Sequence, residues 1–318
     1  MRALNWDGAR LHLDPAYPRP AARGESALVR VRLAGICSTD LQILKGYMGF
    51  RGVPGHEFIG EVEDGPPRLL GRRVVGEINF ACGECALCAR GWRPHCERRR
   101  VMGIVGADGA FAEYVEVPAA NLHVVPETVA DEEAVFTEPL AAAFEILEQL
   151  GEVAGEEAVV FGDGKLGLLC AQVLRLAGAR VSVVGRHPRK LGVASRMGLR
   201  AVSLSEWRRE PRAADLAVEA TGSAGGLPLA LDCVRPRGKL VLKSTLADEH
   251  TLSLARLVIN EITVVGSRCG PFAPALRALA EGNVAVRPLV ESVYPLEQGI
   301  AALEHAGRPG TLKVLLRM

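Results

Sequence analysis

The feature that most constrains this chain is a change of rhythm near Glu157. From there short apolar strands alternate with helical stretches. Val159-Val160-Phe161 precedes a helix over Leu166 to Leu176, and then come Val181 to Val184, Ala201-Val202, Leu216 to Val218, Leu240 to Leu242 and Ile262 to Val265. Six strands in strand-helix alternation predict an α/β fold with a parallel, doubly wound six-stranded sheet of the Rossmann kind. Its first junction reads Gly162-Asp163-Gly164-Lys165-Leu166-Gly167. Glycines at these spacings permit a tight turn, let the backbone approach a pyrophosphate and allow a close-packed helix whose N-terminus faces the phosphate. A merely glycine-rich turn would look similar. The strand before it and the helix after it favour a dinucleotide site built from Gly162, Gly164, Lys165, Leu166 and Gly167.

The first half has a different texture. Leu28 to Leu33 and Phe111 to Val117 alternate apolar and polar residues with period 2, as half-buried antiparallel strands do, and Met1 to Asp14 fits a first strand. The loops between them, rich in glycine and proline, hold most of the unusual residues, and loops on a rigid scaffold are where chemistry concentrates. The tail after Pro271 predicts helices near Pro274 to Glu281 and Leu296 to Ala306 and a last strand over Thr311 to Leu316.

Four of the eight cysteines crowd into Cys82, Cys85, Cys88 and Cys96. Thiols so close together in a large chain read as metal ligands before disulfides. A tetrahedral all-cysteine zinc site would stiffen a lobe too small to have its own core. The rival is an iron-sulfur cluster, whose motif brings its fourth cysteine sooner and follows it with proline, whereas Glu97 follows Cys96. A more dispersed set comprises Cys37-Ser38-Thr39-Asp40, Gly55-His56-Glu57-Phe58-Ile59-Gly60 and Glu138-Pro139-Leu140. One cysteine, one histidine and a carboxylate can bind zinc with a fourth position open. Each also has a plain explanation: core filler, a loop histidine, an acid at a helix start.

Taken together and in order, these five motifs resemble the zinc-containing medium-chain dehydrogenases of the alcohol dehydrogenase superfamily. The likeness runs over essentially the whole chain and is strongest to the polyol, threonine and glucose dehydrogenase branch. It implies a mainly β, GroES-like catalytic domain of residues 1–140 completed by 271–318, around a coenzyme domain of 141–270. It also implies a catalytic zinc on Cys37 and His56 with Glu138 or Glu57 as third ligand, Thr39 as the hydroxyl that handles the alcohol proton, and a structural zinc on Cys82, Cys85, Cys88 and Cys96. Thr221, Ser267 and Lys313 are implied coenzyme contacts, and a homodimer or homotetramer is the implied assembly. Where relatives often place a histidine five residues after the catalytic cysteine, this chain has Gln42. Tyr47 and Phe50 are candidate walls of the substrate pocket.

The end of the second α/β strand, Val183-Val184-Gly185-Arg186-His187, bears on the coenzyme. An NAD enzyme generally carries there an acid that bonds the adenosine ribose hydroxyls. Gly185 removes it, and Arg186, supported by His187 or Arg189, offers donors for a 2′-phosphate, which predicts NADP over NAD without excluding NAD. The competing reading is a solvated arginine on a plain turn.

A formal charge of +1 gives no reason to expect nucleic acid or a membrane surface as partner, so the expected partner is a small hydroxyl or carbonyl compound. No uninterrupted apolar run suggests a secretory signal or a spanning helix, and the expected location is cytoplasmic. Two other functions fit parts of the pattern. A zinc-free quinone or carbonyl reductase would keep the glycine turn but need no Cys37 and His56. A non-enzymatic, zinc-stabilised nucleotide-binding protein would need no open metal site.

Overall fold

The computed structural model describes residues 1–209, 213–245 and 254–318. The chain separates into two compact units. One comprises Met1–Glu138, Ala275–Glu281 and Val290–Met318, the other Pro139–Pro274 and Gly282–Leu289.

The first unit is mainly β. A hairpin pairs β1 (Ala3–Trp6) with β2 (Leu11–Asp14). The main sheet holds β3 (Ser26–Gly35), β4 (Glu57–Asp64), β5 (Arg73–Gly76), β9 (Tyr114–Pro118), β10 (Leu122–Val124), β17 (Val290–Pro295) and β18 (Lys313–Arg317). Their order is β10-β5-β4-β3-β18-β17, with β9 also on β3. The alternation in β3 does its expected work: Val29, Val31 and Leu33 are buried while Arg30 and Arg32 are exposed. A small sheet of β6 (Asn79–Phe80), β7 (Arg100–Met102) and β8 (Gly106–Ala107) flanks the cysteine lobe.

Two expectations for this unit need correction. Met1 to Asp14 is two strands, because the Asp7 carboxylate accepts the N–H groups of Ala9 and Arg10 and turns the chain. The run Phe111 to Val117 pairs in register with β3 from Tyr114, with the Glu113 carbonyl already accepting the Val31 N–H at 2.9 Å. Before that, the Phe111 carbonyl accepts the Leu4 N–H at 2.8 Å and Ala112 bridges Ala3, so this stretch serves the hairpin instead.

The second unit is the doubly wound sheet. Its strands are β11 (Glu157–Phe161), β12 (Arg180–Gly185), β13 (Arg200–Ser203), β14 (Ala214–Glu219), β15 (Val234–Leu242) and β16 (Thr263–Gly266). All pair in parallel in the order β13-β12-β11-β14-β15-β16. The order reverses between β11 and β14, and ligands of such sheets bind at the carboxyl ends of the strands around that point. Buried parallel strands read as continuous apolar runs, which is why Val159-Val160-Phe161 is so legible. Phe161 meets Trp207 edge to face, with centroids 5.5 Å apart. β15 starts earlier than its apolar part because Val234 pairs with Ala214 across a register shift, with Arg237 at φ 64° in between. Among the described residues no helix is long and apolar enough to cross a membrane.

Candidate functional site

Cys37, His56 and Glu57 are brought together by the pairing of β3 with β4. β3 ends at Gly35, opposite Glu57, the first residue of β4. A side chain on Gly35 would strike the Glu57 carboxylate, so the glycine leaves that acid its place. Cys37 then caps the helix Ser38–Ile43, its N–H donating to Asp40 Oδ2 at 2.8 Å. Cys37 Sγ, a His56 ring nitrogen and a Glu57 oxygen all lie within 4.8 Å of one another. Thr39 Oγ1 is 3.7 Å from Cys37 Sγ. Glu138, half-buried in the first turn of the helix Thr137–Leu150, is not one of these three.

Two further residues complete this cluster. Asp40 is fully buried, and its Oδ1 lies 3.2 Å from His56 Nδ1 without hydrogen-bond alignment. Burial alone would lower the His56 pKa, and it is the largest single influence. The Asp40 charge, with contacts from Asp40 and Cys37, outweighs it and holds the ring well above its usual value. On the other side Lys313 donates to Glu57 in a fully buried ion pair and stands over the Phe136 ring at 5.6 Å. Lys313, expected from resemblance to touch coenzyme, is thus placed against Glu57 in the first unit. Asp40 was legible in principle, since it stands three residues after Cys37, the spacing of a capping pair. Of the aromatic candidates, Phe50 is buried with Trp6 and Ile43, and Tyr47 packs on that group.

The four lobe cysteines converge with no disulfide among them. Sulfur separations are 3.5 Å for Cys85–Cys88 and Cys82–Cys96, 3.8 Å for Cys85–Cys96 and 4.0 Å for Cys82–Cys88. Four sulfurs each about 2.3 Å from one ion at tetrahedral angles stand about 3.8 Å apart, so this set fits a single zinc. Thiolates bound to several irons of a cluster must stand farther apart. Backbone N–H groups, that of Glu84 foremost, lower the Cys82 pKa to about 6, and that of Cys88 foremost lowers Cys85. Arg98, paired with Glu84 at 2.6 Å, adds a contact to Cys82 Sγ at 3.5 Å.

In the second unit Gly162, Asp163, Gly185, Arg186, His187 and Thr221 line a pocket at the carboxyl ends of β11 and β12. Gly162 has φ 125°, and a side chain on Gly167 would strike the Gly162 carbonyl, so the turn and the helix Lys165–Leu176 pack as closely as the spacing predicts. A side chain on Gly164 would enter open space, the room a bound phosphate needs. Lys165 and Leu166 open the helix. Asp163 is buried and accepts the N–H groups of Arg186 at 2.8 Å and His187 at 2.7 Å, with His187 Nδ1 2.9 Å away. Arg186 and Arg189 are exposed. Thr221 is tied to Glu219 through its N–H at 2.8 Å and its hydroxyl at 2.6 Å. Ser267 donates its N–H to the Leu242 carbonyl at 3.0 Å.

Comparison with known proteins agrees in both halves. The family model "Alcohol dehydrogenase GroES-like domain" matches residues 23–127, and "Zinc-binding dehydrogenase" matches residues 166–281. L-threonine 3-dehydrogenase of Streptomyces coelicolor is 31% identical, the alignment covering 99% of this chain and 99% of that protein. D-altritol 5-dehydrogenase of Agrobacterium fabrum is 33% identical over 91% of each. Among solved structures, a putative zinc-binding dehydrogenase from Sinorhizobium meliloti 1021 bound to NADP is 26% identical with a TM-score of 0.92, covering 100% of this chain and 99% of that one.

Proposed function

The chain belongs to the zinc-containing medium-chain dehydrogenases of the alcohol dehydrogenase superfamily and is an NAD(P)-dependent alcohol or polyol dehydrogenase; from that premise we propose how its own residues divide the work. Cys37 and His56 hold a catalytic zinc, with Glu57 or Glu138 as third ligand. The observation that carries this is the convergence of Cys37, His56 and Glu57 within 4.8 Å. Cys82, Cys85, Cys88 and Cys96 hold a second, structural zinc, supported by their tetrahedral spacing, which disfavours a cluster.

Bound at these residues, zinc would supply a Lewis acid for a substrate alcohol oxygen, and a bound nicotinamide would supply the hydride acceptor. The Thr39 hydroxyl would relay the alcohol proton, accepting it while releasing its own toward solvent; what supports this is its position 3.7 Å from the proposed ligand Cys37. Asp40 orients His56 from behind, as acids beside metal-binding histidines do. Gly162, Gly164 and Gly167 seat the pyrophosphate, with Lys165 and Leu166 at the helix start. Gly185, Arg186, His187 and Arg189 favour NADP over NAD. Thr221 and Ser267 stand on the coenzyme side of the same sheet.

The enzyme acts as a homodimer or homotetramer. What supports this is that β16 stands last in the strand order among the described residues, together with Leu254, Val258 and Ile259, which are 64%, 75% and 78% exposed. An open edge beside an apolar patch is unfavourable unless covered.

Zinc analysis of purified protein, with turnover scored on a panel of alcohols, polyols, sugars and amino-alcohols, tests the central reading. Two equivalents of zinc per chain, falling to one with loss of turnover in Cys37→Ser, are expected. Turnover that survives Cys37→Ser overturns the catalytic assignment.

A further inference from the structure

Lys243 is a buried cation at the carboxyl edge of the coenzyme-binding sheet. It directly follows Leu242, the last residue of β15, and is 7% exposed. Its N–H donates to the carbonyl of Glu219, the last residue of β14, at 2.9 Å, so its position is tied to two strand ends. Its Nζ donates to the Ala142 carbonyl at 2.6 Å, to Ser267 Oγ at 3.1 Å and to the Arg268 carbonyl at 3.1 Å. Three acceptors match the three N–H bonds of an ammonium, one more than a neutral amine has. Burial raises the Glu145 carboxyl above its usual range, and Lys243 opposes that rise, as a nearby positive charge does.

The strand order decides which part of a dinucleotide such a cation would meet. In a sheet of this order each mononucleotide lies over one set of three strands. The glycine turn after β11 and the corner at Gly185 after β12 belong to the adenosine half. The ends of β14, β15 and β16, with Lys243 among them, are left for the nicotinamide half. The two redox forms differ in charge only there: the oxidised ring is a cation and the reduced ring is neutral. A fixed positive charge on that side therefore opposes one form and not the other.

We propose that Lys243 makes this enzyme discriminate between the redox forms of its coenzyme, holding the reduced form more tightly than the oxidised one. The proposal rests on the coenzyme reading above. At an effective dielectric of about 20, a fixed like charge on the same side of a site changes a binding constant by about tenfold or more. Ion pairing and solvent reduce that, and about tenfold is expected.

The test is fluorescence titration of the purified enzyme with NADP+ and NADPH, and with NAD+ and NADH. Wild-type protein should bind the reduced form more tightly within each pair. In Lys243→Met and Lys243→Gln the ratio of oxidised to reduced Kd should fall about tenfold, chiefly because the oxidised form binds better, while Lys243→Arg keeps the ratio. Gln retains a donor without the charge, which separates electrostatics from loss of a tether. Both affinities falling together in the variants, or wild-type protein preferring the oxidised forms, would overturn the proposal. Failure of the wild type to bind any of the four would instead overturn the coenzyme reading on which it stands.

Discussion

The Asp163 carboxylate occupies the space that a side chain on Gly185 would need. A Cβ on Gly185 would fall within contact distance of Asp163 Oδ2, Cβ and Cγ. Gly185 is therefore more than the absence of an acid at the end of β12. An acid from the glycine turn has moved into that position and is held there by the N–H groups of Arg186 and His187. A single Gly185→Asp exchange sets two carboxylates against each other in a tight, half-closed corner. Overpacking of this kind costs about 1–3 kcal/mol. Gly185→Asp should lower Tm and weaken binding of both NAD and NADP. Asp163→Gly combined with Gly185→Asp frees the corner and should turn preference toward NAD. Thermal melts and kcat/KM for both coenzymes check this, and a single Gly185→Asp that binds NAD well with unchanged Tm would refute it.

Arg186 carries the other half of the coenzyme preference. It is exposed, so its field is screened by solvent and salt. One charge-assisted hydrogen bond contributes about 1.5–3 kcal/mol, and exposure brings the expected loss in Arg186→Ala to about tenfold in the NADP to NAD ratio of kcat/KM. The loss should shrink as ionic strength rises. A ratio that is indifferent to both the substitution and salt would place the preference elsewhere.

The two proposed metal sites should respond differently to loss of a ligand. Between residues 82 and 96 the only core residue is Cys96 itself, and Trp92 is 53% exposed. That lobe has no apolar core to fall back on, and its folding energy must come from the metal. Cys85→Ser or Cys88→Ser should lower Tm and release one zinc. Cys37→Ser should also release one zinc but leave Tm nearly unchanged, since it lies beside the buried sheet of β3 and β4 and not in a coreless loop. Equal melting losses in the two classes, measured alongside metal content, would show that the sites are not specialised in this way.

How much of this could be read from the chain depends on how local the cause is. The glycine turn and the inner parallel strands are legible because strands buried on both faces must be apolar throughout, and Val159-Val160-Phe161 or Leu240 to Leu242 can be little else. Alternation that continues through Asp7-Gly8 hides the break between β1 and β2, although that dipeptide is itself a hairpin signal. The cysteine lobe was plain from spacing alone. Other relationships join residues far apart, and no pattern in one sequence reports them. Asp163 against Gly185 spans 22 residues of chain, and Lys243 reaching Ala142 links a strand end to a helix 101 residues earlier. Glu57 and Lys313 are separated by 256 residues.

That last pair supports a prediction about stability. Glu57 and Lys313 side chains are each 1% exposed and bonded to one another. An ion pair so deeply buried gains little over an apolar pair of the same shape, but removing one partner strands a charge, at a cost of about 3–5 kcal/mol. Lys313→Met should therefore lower Tm by several degrees, and Glu57→Gln on top of it should restore much of the loss. The same exchange bears on metal chemistry, because a Glu57 oxygen lies within 4.8 Å of the Cys37 and His56 ligand atoms while Lys313 engages Glu57 Oε2. Freed from Lys313, that carboxylate becomes a stronger competitor for the metal's open position. Lys313→Met should thus release catalytic zinc to a chelator more slowly than wild type while turning over less well, whereas Lys313→Met/Glu57→Gln should lose zinc fastest. Differential scanning calorimetry and timed zinc release to a chromogenic chelator measure both effects. If Lys313→Met melts like wild type, or if adding Glu57→Gln deepens the loss instead of relieving it, the pair is not the buried lock that its geometry indicates.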